Sequence, residues 1–225
     1  DWSGGVGANP VTGTVDTYTS LSDIDASTPG EFSLDTKSDW LNSSWTYRKK
    51  ITFDNTTANL GVTSEALTNF PVLVKLDSGS DIDYSKTKDA GEDIRFTDSN
   101  GTTELKYEIE EWNESGSSYV WVKVPQIDIN SDTDYIYMYY GNSGASDDQD
   151  AENVWDDDFE LVQHLEETGG TRTDSTSNAV DGTPTANVSN ESNGVIGNAD
   201  SFTGSTSSIA HTITLGATLT ISTWA

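Results

Sequence analysis

The chain has 225 residues, enough for one large or two small domains, and sets 38 Asp and Glu against 11 Lys and Arg for a net charge of −27. Such a surplus leaves no basic face for nucleic acid or an anionic lipid surface. The absence of cysteine excludes disulfides, thiolate metal centres and a cysteine nucleophile.

Hydrophobic residues make up only 33% of the chain, near the regime in which a polypeptide stays unfolded, but 7 Trp, 9 Tyr and 6 Phe restore the area a core needs. No apolar run is long enough for a membrane span. The single methionine, Met138, is internal, so the chain reads as a processed product or a fragment.

Residues 1–40 are rich in Gly, Ser, Thr and Asp, with two short alternating pieces, Val11–Thr19 and Glu31–Leu34. They predict an extended N-terminal segment able to donate a strand to a neighbour. From Trp45 onward, period-two alternation with aromatic and β-branched residues predicts strands at Trp45–Phe53, Val72–Leu76, Ile94–Thr97, Leu105–Trp112, Tyr119–Val124 and Tyr135–Tyr140. Helical periodicity is absent. The expected fold is all-β, an antiparallel, jelly-roll-like sandwich over residues 41–142. Asn100-Gly101 sits between two of these strands and predicts a hairpin turn through its tolerance of positive φ.

Glu108-x-Glu110, with Glu111 beside it, is the sharpest catalytic candidate, since paired carboxylates on one strand face serve glycosidases as nucleophile and acid. Alternation places the pair with Lys106, opposite Leu105, Tyr107 and Ile109, which predicts a solvated outer face and no catalysis. Asp128-x-Asn130-x-Asp132-x-Asp134 imitates the start of a calcium loop, but Thr133 replaces the turn glycine and Tyr139 the bidentate glutamate. An acidic turn is the plainer expectation, with calcium an open cofactor. Tyr135, Tyr137 and Tyr139 share one strand face, suiting packing or the stacking of a glycan ligand.

Residues 143–153 are small and acidic and predict a linker. Asp147, Asp148, Asp150 and Asp156–Asp158 are weak calcium candidates that read as solvated charge. Val154–Leu165 is expected to open a second β region, and Thr218–Ala225 alternates as its last strand. His164 and His211, the only histidines, lack a Ser-His-Asp pattern and are assigned structural roles. The acceptor pattern Asn-x-Ser/Thr occurs at Asn42, Asn55, Asn100, Asn113, Asn187 and Asn190.

Six motifs carry a resemblance when taken together and in order: Trp45–Phe53, Phe70–Val74, Asp93–Asp98, Tyr107–Trp112, Val120–Pro125 and Tyr135–Asn142. Over residues 40–145 the chain resembles a domain family of unknown function found in secreted and surface proteins. Further on, Val154–Asp156, Gln163–Glu167, Asp174–Asn178, Asp181–Thr183, Gly197–Phe202 and Leu219–Trp224 resemble the first half of a laminin-G-like, concanavalin A-like sandwich. The tandem implies a secreted or cell-surface protein of structural or adhesive role. Together with the strand-donating segment and the solvated carboxylate pair, the expected reading is a self-associating, non-catalytic protein. A carbohydrate-binding module and, less so, a glycan-cleaving enzyme are the alternatives.

Overall fold

The structure, a computed structural model, describes the backbone of residues 24–25 and 33–34 and residues 40–225, apart from 156, 192–193, 214–219 and 224–225. The chain divides into two units, residues 1–38 and 39–225. In the first, β1 (Ile24–Asp25) pairs antiparallel with β2 (Ser33–Leu34); Val11–Thr19 lies outside the described residues.

The second unit is an antiparallel two-sheet sandwich, the all-β fold expected. One sheet runs β3-β9-β5-β6, built from β3 (Tyr47–Thr52), β9 (Tyr135–Tyr140), β5 (Arg95–Thr97) and β6 (Glu104–Leu105). The other runs β4-β8-β7, from β4 (Leu67–Asp77), β8 (Ser117–Ile127) and β7 (Tyr107–Glu111). Alternation sends Val74 and Leu76 of β4, Val120, Val122 and Val124 of β8, and Ile136 and Met138 of β9 into one core with Ile94, Phe96 and Tyr107. The Asn100-Gly101 turn closes as expected: Gly101 has φ 76°, and the Asp98 amide donates to the Thr103 carbonyl at 2.9 Å.

Tyr135, Tyr137 and Tyr139 do share the other face of β9, where Tyr139 packs beneath Trp40 and Trp45. Cations cover the remaining rings, Arg48 at 4.3 Å from the Tyr137 centroid and Lys50 at 3.8 Å from that of Tyr135.

Within residues 143–153, Gln149 and Asp150 lie along the edge of β7. The Gln149 side chain accepts from the Ile109 amide at 2.6 Å, the Asp150 amide donates to the Tyr107 carbonyl at 3.0 Å, and Asp150 pairs with Lys106 at 2.5 Å. The second β region does not open at Val154–Leu165 as expected. A single helical turn, α1 at Thr57–Leu60, has its counterpart here in α2 (Ala151–Val154), and the described residues from Trp155 to Leu165 form no strand. These residues spend their polar groups on side-chain contacts instead of a ladder. Short pairs follow: β10 (Thr183–Pro184) with β13 (Ile209–Ala210), and β11 (Val188–Glu191) with β12 (Ala199–Phe202). Residues 220–223 of the expected last strand are exposed and not extended into a ladder; 218–219 and 224–225 lie outside the described residues.

Candidate functional site

The carboxylate pair is not on a solvated face. Residues 154–181 cover it, and the side chains of Glu108 and Glu110 retain only 13% and 8% exposure. The expectation failed because strand alternation identifies the face opposite the sandwich core but not what a later segment lays over it.

Local backbone geometry aims the pair. Glu108 stands opposite Trp121 of β8, and the ladder slips between Ile109 and Glu111, leaving Glu110 as the bulged residue. The bulge turns Glu110 toward the same indole, whose Nε1 donates to it at 2.7 Å. From the covering segment, Trp155 packs on Trp121 with centroids 5.1 Å apart and donates its Nε1 to Glu108 at 2.9 Å. Ser175 donates its hydroxyl to the other Glu108 oxygen at 2.6 Å.

His164 lies between the two carboxylates. Its Nδ1 is paired with Glu110, and its Nε2 lies 3.2 Å from Glu108 in an ionic contact not aligned as a hydrogen bond. Burial alone would disfavour a charged ring, but the two carboxylates overcome it and the His164 pKa is pushed up to about 10. Burial likewise works against a charged Glu108, yet His164, Ser175 and Trp155 together hold its pKa below the ordinary value. At neutral pH the centre is therefore an imidazolium clamped by two glutamates. The chain turns sharply just after it, Leu165 adopting φ 59°.

Two further buried centres shape the cover. Asp174 accepts the amides of Val162, Thr176 and Val180, each at 3.0 Å, and the Thr176 hydroxyl at 2.8 Å. These bonds outweigh its burial and keep it ionised to lower pH than usual. Arg172, 2% exposed, forms a fork on Asp200 at 2.6 and 2.5 Å and donates to the Gly170 carbonyl at 2.8 Å. The Gly197 amide, donating to Glu111 at 3.2 Å, adds another tie to β7.

The calcium candidates stay apart from this centre. Asp134 accepts the Asp128 amide at 2.9 Å, Asp128 accepts from Gln126 at 3.0 Å, Asn130 accepts the Thr57 amide at 3.1 Å, and Asp132 is exposed. Of the acidic run, Asp148 meets Arg95 at 3.3 Å, Asp147 accepts the Gln149 amide at 3.2 Å, and Asp157 and Asp158 are exposed. Among the described residues no group of three or more His, Asp or Glu side chains is arranged to hold a metal ion. His211 contacts the Val180 carbonyl at 3.3 Å through Nδ1.

A family model described as a domain of unknown function (DUF2341) matches residues 90–181. The match supports the resemblance to a domain family of unknown function. It begins just before β5 and runs past residue 145 to Asp181, so it spans both Glu108 and Glu110 on the sheet and His164 and Ser175 on the cover. No curated protein and no solved structure matches the chain significantly. Sequence reasoning missed the pairing of His164 with β7. The available signal was Glu108-x-Glu110 together with the nearby polar ring of His164, but nothing in residue spacing joins positions more than 50 apart.

Proposed function

We propose that the protein is a non-catalytic, extracellular structural β-sandwich that associates with identical copies, residues 1–40 supplying an extended strand to a neighbour. The occupied carboxylate pair carries the non-catalytic part of this reading, and the alternating pieces of residues 1–40 carry the strand-donating part. A glycosidase needs one carboxyl free to give up a proton and another free to attack. Here His164 fills the space between them, and Glu108 meets three side chains that favour its ionised form. The same groups suit a clasp that fastens residues 154–181 to the sheet. The resemblance of stretches between Val154 and Trp224 to a laminin-G-like half, and a net charge that favours solubility, support a surface protein of adhesive or structural role. Lys50 and Arg48 over the tyrosine rings weigh against a flat glycan-stacking platform.

The test is a full-length chain with Val15→Pro, which removes a backbone donor from the donating segment. Electron microscopy and sedimentation velocity should show wild-type filaments or oligomers and a monomeric variant. Equal assembly of the two overturns the strand-exchange reading.

A further inference from the structure

The six Asn-x-Ser/Thr sites share one sequence pattern but present very different amides. Attachment of a glycan makes a bond between sugar C1 and Asn Nδ2 and breaks the bond from C1 to the phosphate oxygen of an activated, lipid-linked glycosyl donor. The phosphate leaves with the electron pair, and one Nδ2 proton passes to a base of the transferring enzyme. The product amide keeps one N–H. An acceptor asparagine must therefore be exposed and must not need both of its amide hydrogens.

Asn55 fails on both counts. It is 8% exposed, and its Nδ2 donates to the carbonyls of Glu65 and Asp128, each at 2.8 Å, tying the 54–66 loop to the 128–134 loop. Asn42 passes. It is exposed, its Oδ1 accepts the amide of Ser44, the hydroxyl residue of its own acceptor pattern, at 2.9 Å, closing an Asx turn, and none of the described hydrogen bonds uses its Nδ2. Asn100 passes as well, at the exposed tip of the β5-β6 hairpin. Its Oδ1 accepts the Thr102 amide at 2.9 Å and lies 3.4 Å from the Thr102 hydroxyl. Its Nδ2 makes one bond, to Thr103 Oγ1 at 2.8 Å, which the remaining N–H of a glycosylated amide can keep.

The other sites fall between. Asn113 forms the same turn on Ser115 at 3.1 Å but is half-buried, its Nδ2 against Gly116. Asn190 lies in β11 with Nδ2 donating to the Ala199 carbonyl at 3.4 Å. Asn187 is exposed and meets both conditions, but among the described contacts no turn on Ser189 fixes its amide as in Asn42 and Asn100.

We infer that Asn42 and Asn100 are N-glycan attachment sites and that Asn55 is a structural asparagine despite its matching pattern. The inference rests on the extracellular part of the reading above. Its test is peptide mass mapping of the protein purified from the cells that make it, with cell fractionation alongside. The expected result is a glycan mass on the Asn42 and Asn100 peptides and an unmodified Asn55 peptide. An unmodified Asn42 or Asn100 in protein from the outer fraction, or a glycan on Asn55, overturns the assignment. Unmodified protein confined to the cytoplasmic fraction overturns the extracellular reading with it. In full-length Thr102→Val, made in the same cells, the mass on Asn100 should vanish while that on Asn42 stays. Retention at Asn100 overturns its assignment as an Asn-x-Thr glycan.

Discussion

Replacing His164 with Gln removes the positive charge from between Glu108 and Glu110 while nearly preserving volume. The rise of the His164 pKa from 6.5 to about 10 corresponds to roughly 5 kcal/mol at about 1.4 kcal/mol per pH unit. Breaking one partner from a buried ion pair costs about 3–5 kcal/mol in general, so the two routes agree. The sign follows from the direction of the shift. A pKa higher in the folded state stabilises fully below the unfolded value of 6.5, and that contribution drains away as pH rises through about 10. Glu108, lowered from 4.5, acts oppositely: its contribution is present above that value and is lost on acidification. Urea unfolding followed by tryptophan fluorescence, with Trp121 and Trp155 on the centre as reporters, measures the difference between wild type and variant. It should be about 3–5 kcal/mol near pH 6 and shrink toward zero as the pH approaches 10. A difference below about 1 kcal/mol near pH 6, the scale of an exposed pair, or one that does not change toward alkaline pH, would refute the clamped imidazolium.

Asp200→Ala should destabilise by about 3–5 kcal/mol, because it strands a guanidinium that is 2% exposed; a thermal melt within a degree of wild type would contradict that. Gly141→Ala forces a side chain into a left-handed position (φ 81°) with its Cβ 2.6 Å from the Tyr47 ring, and calorimetry should register a loss of about 2 kcal/mol or more. Leu76→Ala, at a residue 1% exposed in the sandwich core, should cost about 2–5 kcal/mol by urea titration. Residues 154–225 alone should show no cooperative melt, and residues 40–145, deprived of His164 and Trp155, should melt well below the full chain. A cooperative transition in the first fragment would show a core it was not credited with.

The sandwich was legible because both of its sheets advertise themselves locally. Tyr135–Tyr140 alternates between core and outer face at every residue, and Asn100-Gly101 can close few structures other than a tight hairpin. The region after residue 150 was not legible in the same way. Val154 and Trp155 look like the opening of a strand, but they close one helical turn and are buried, Trp155 against Trp121. The same blindness affected Glu108 and Glu110. Alternation assigned them to the correct face, and only the path of a segment some fifty residues later made that face an interior one. A β-bulge at Glu110 has no sequence signature here, since neither a glycine nor a proline marks it.

The central claim is that the glutamate pair is engaged by a protonated histidine, and an NMR titration of the His164 imidazole tests it most directly. The ring carbon and nitrogen shifts should stay those of the imidazolium through neutral pH and titrate at about 10. A midpoint near the ordinary 6.5 would place the ring outside the carboxylate pair, leave Glu108 and Glu110 free for acid–base work, and contradict the account.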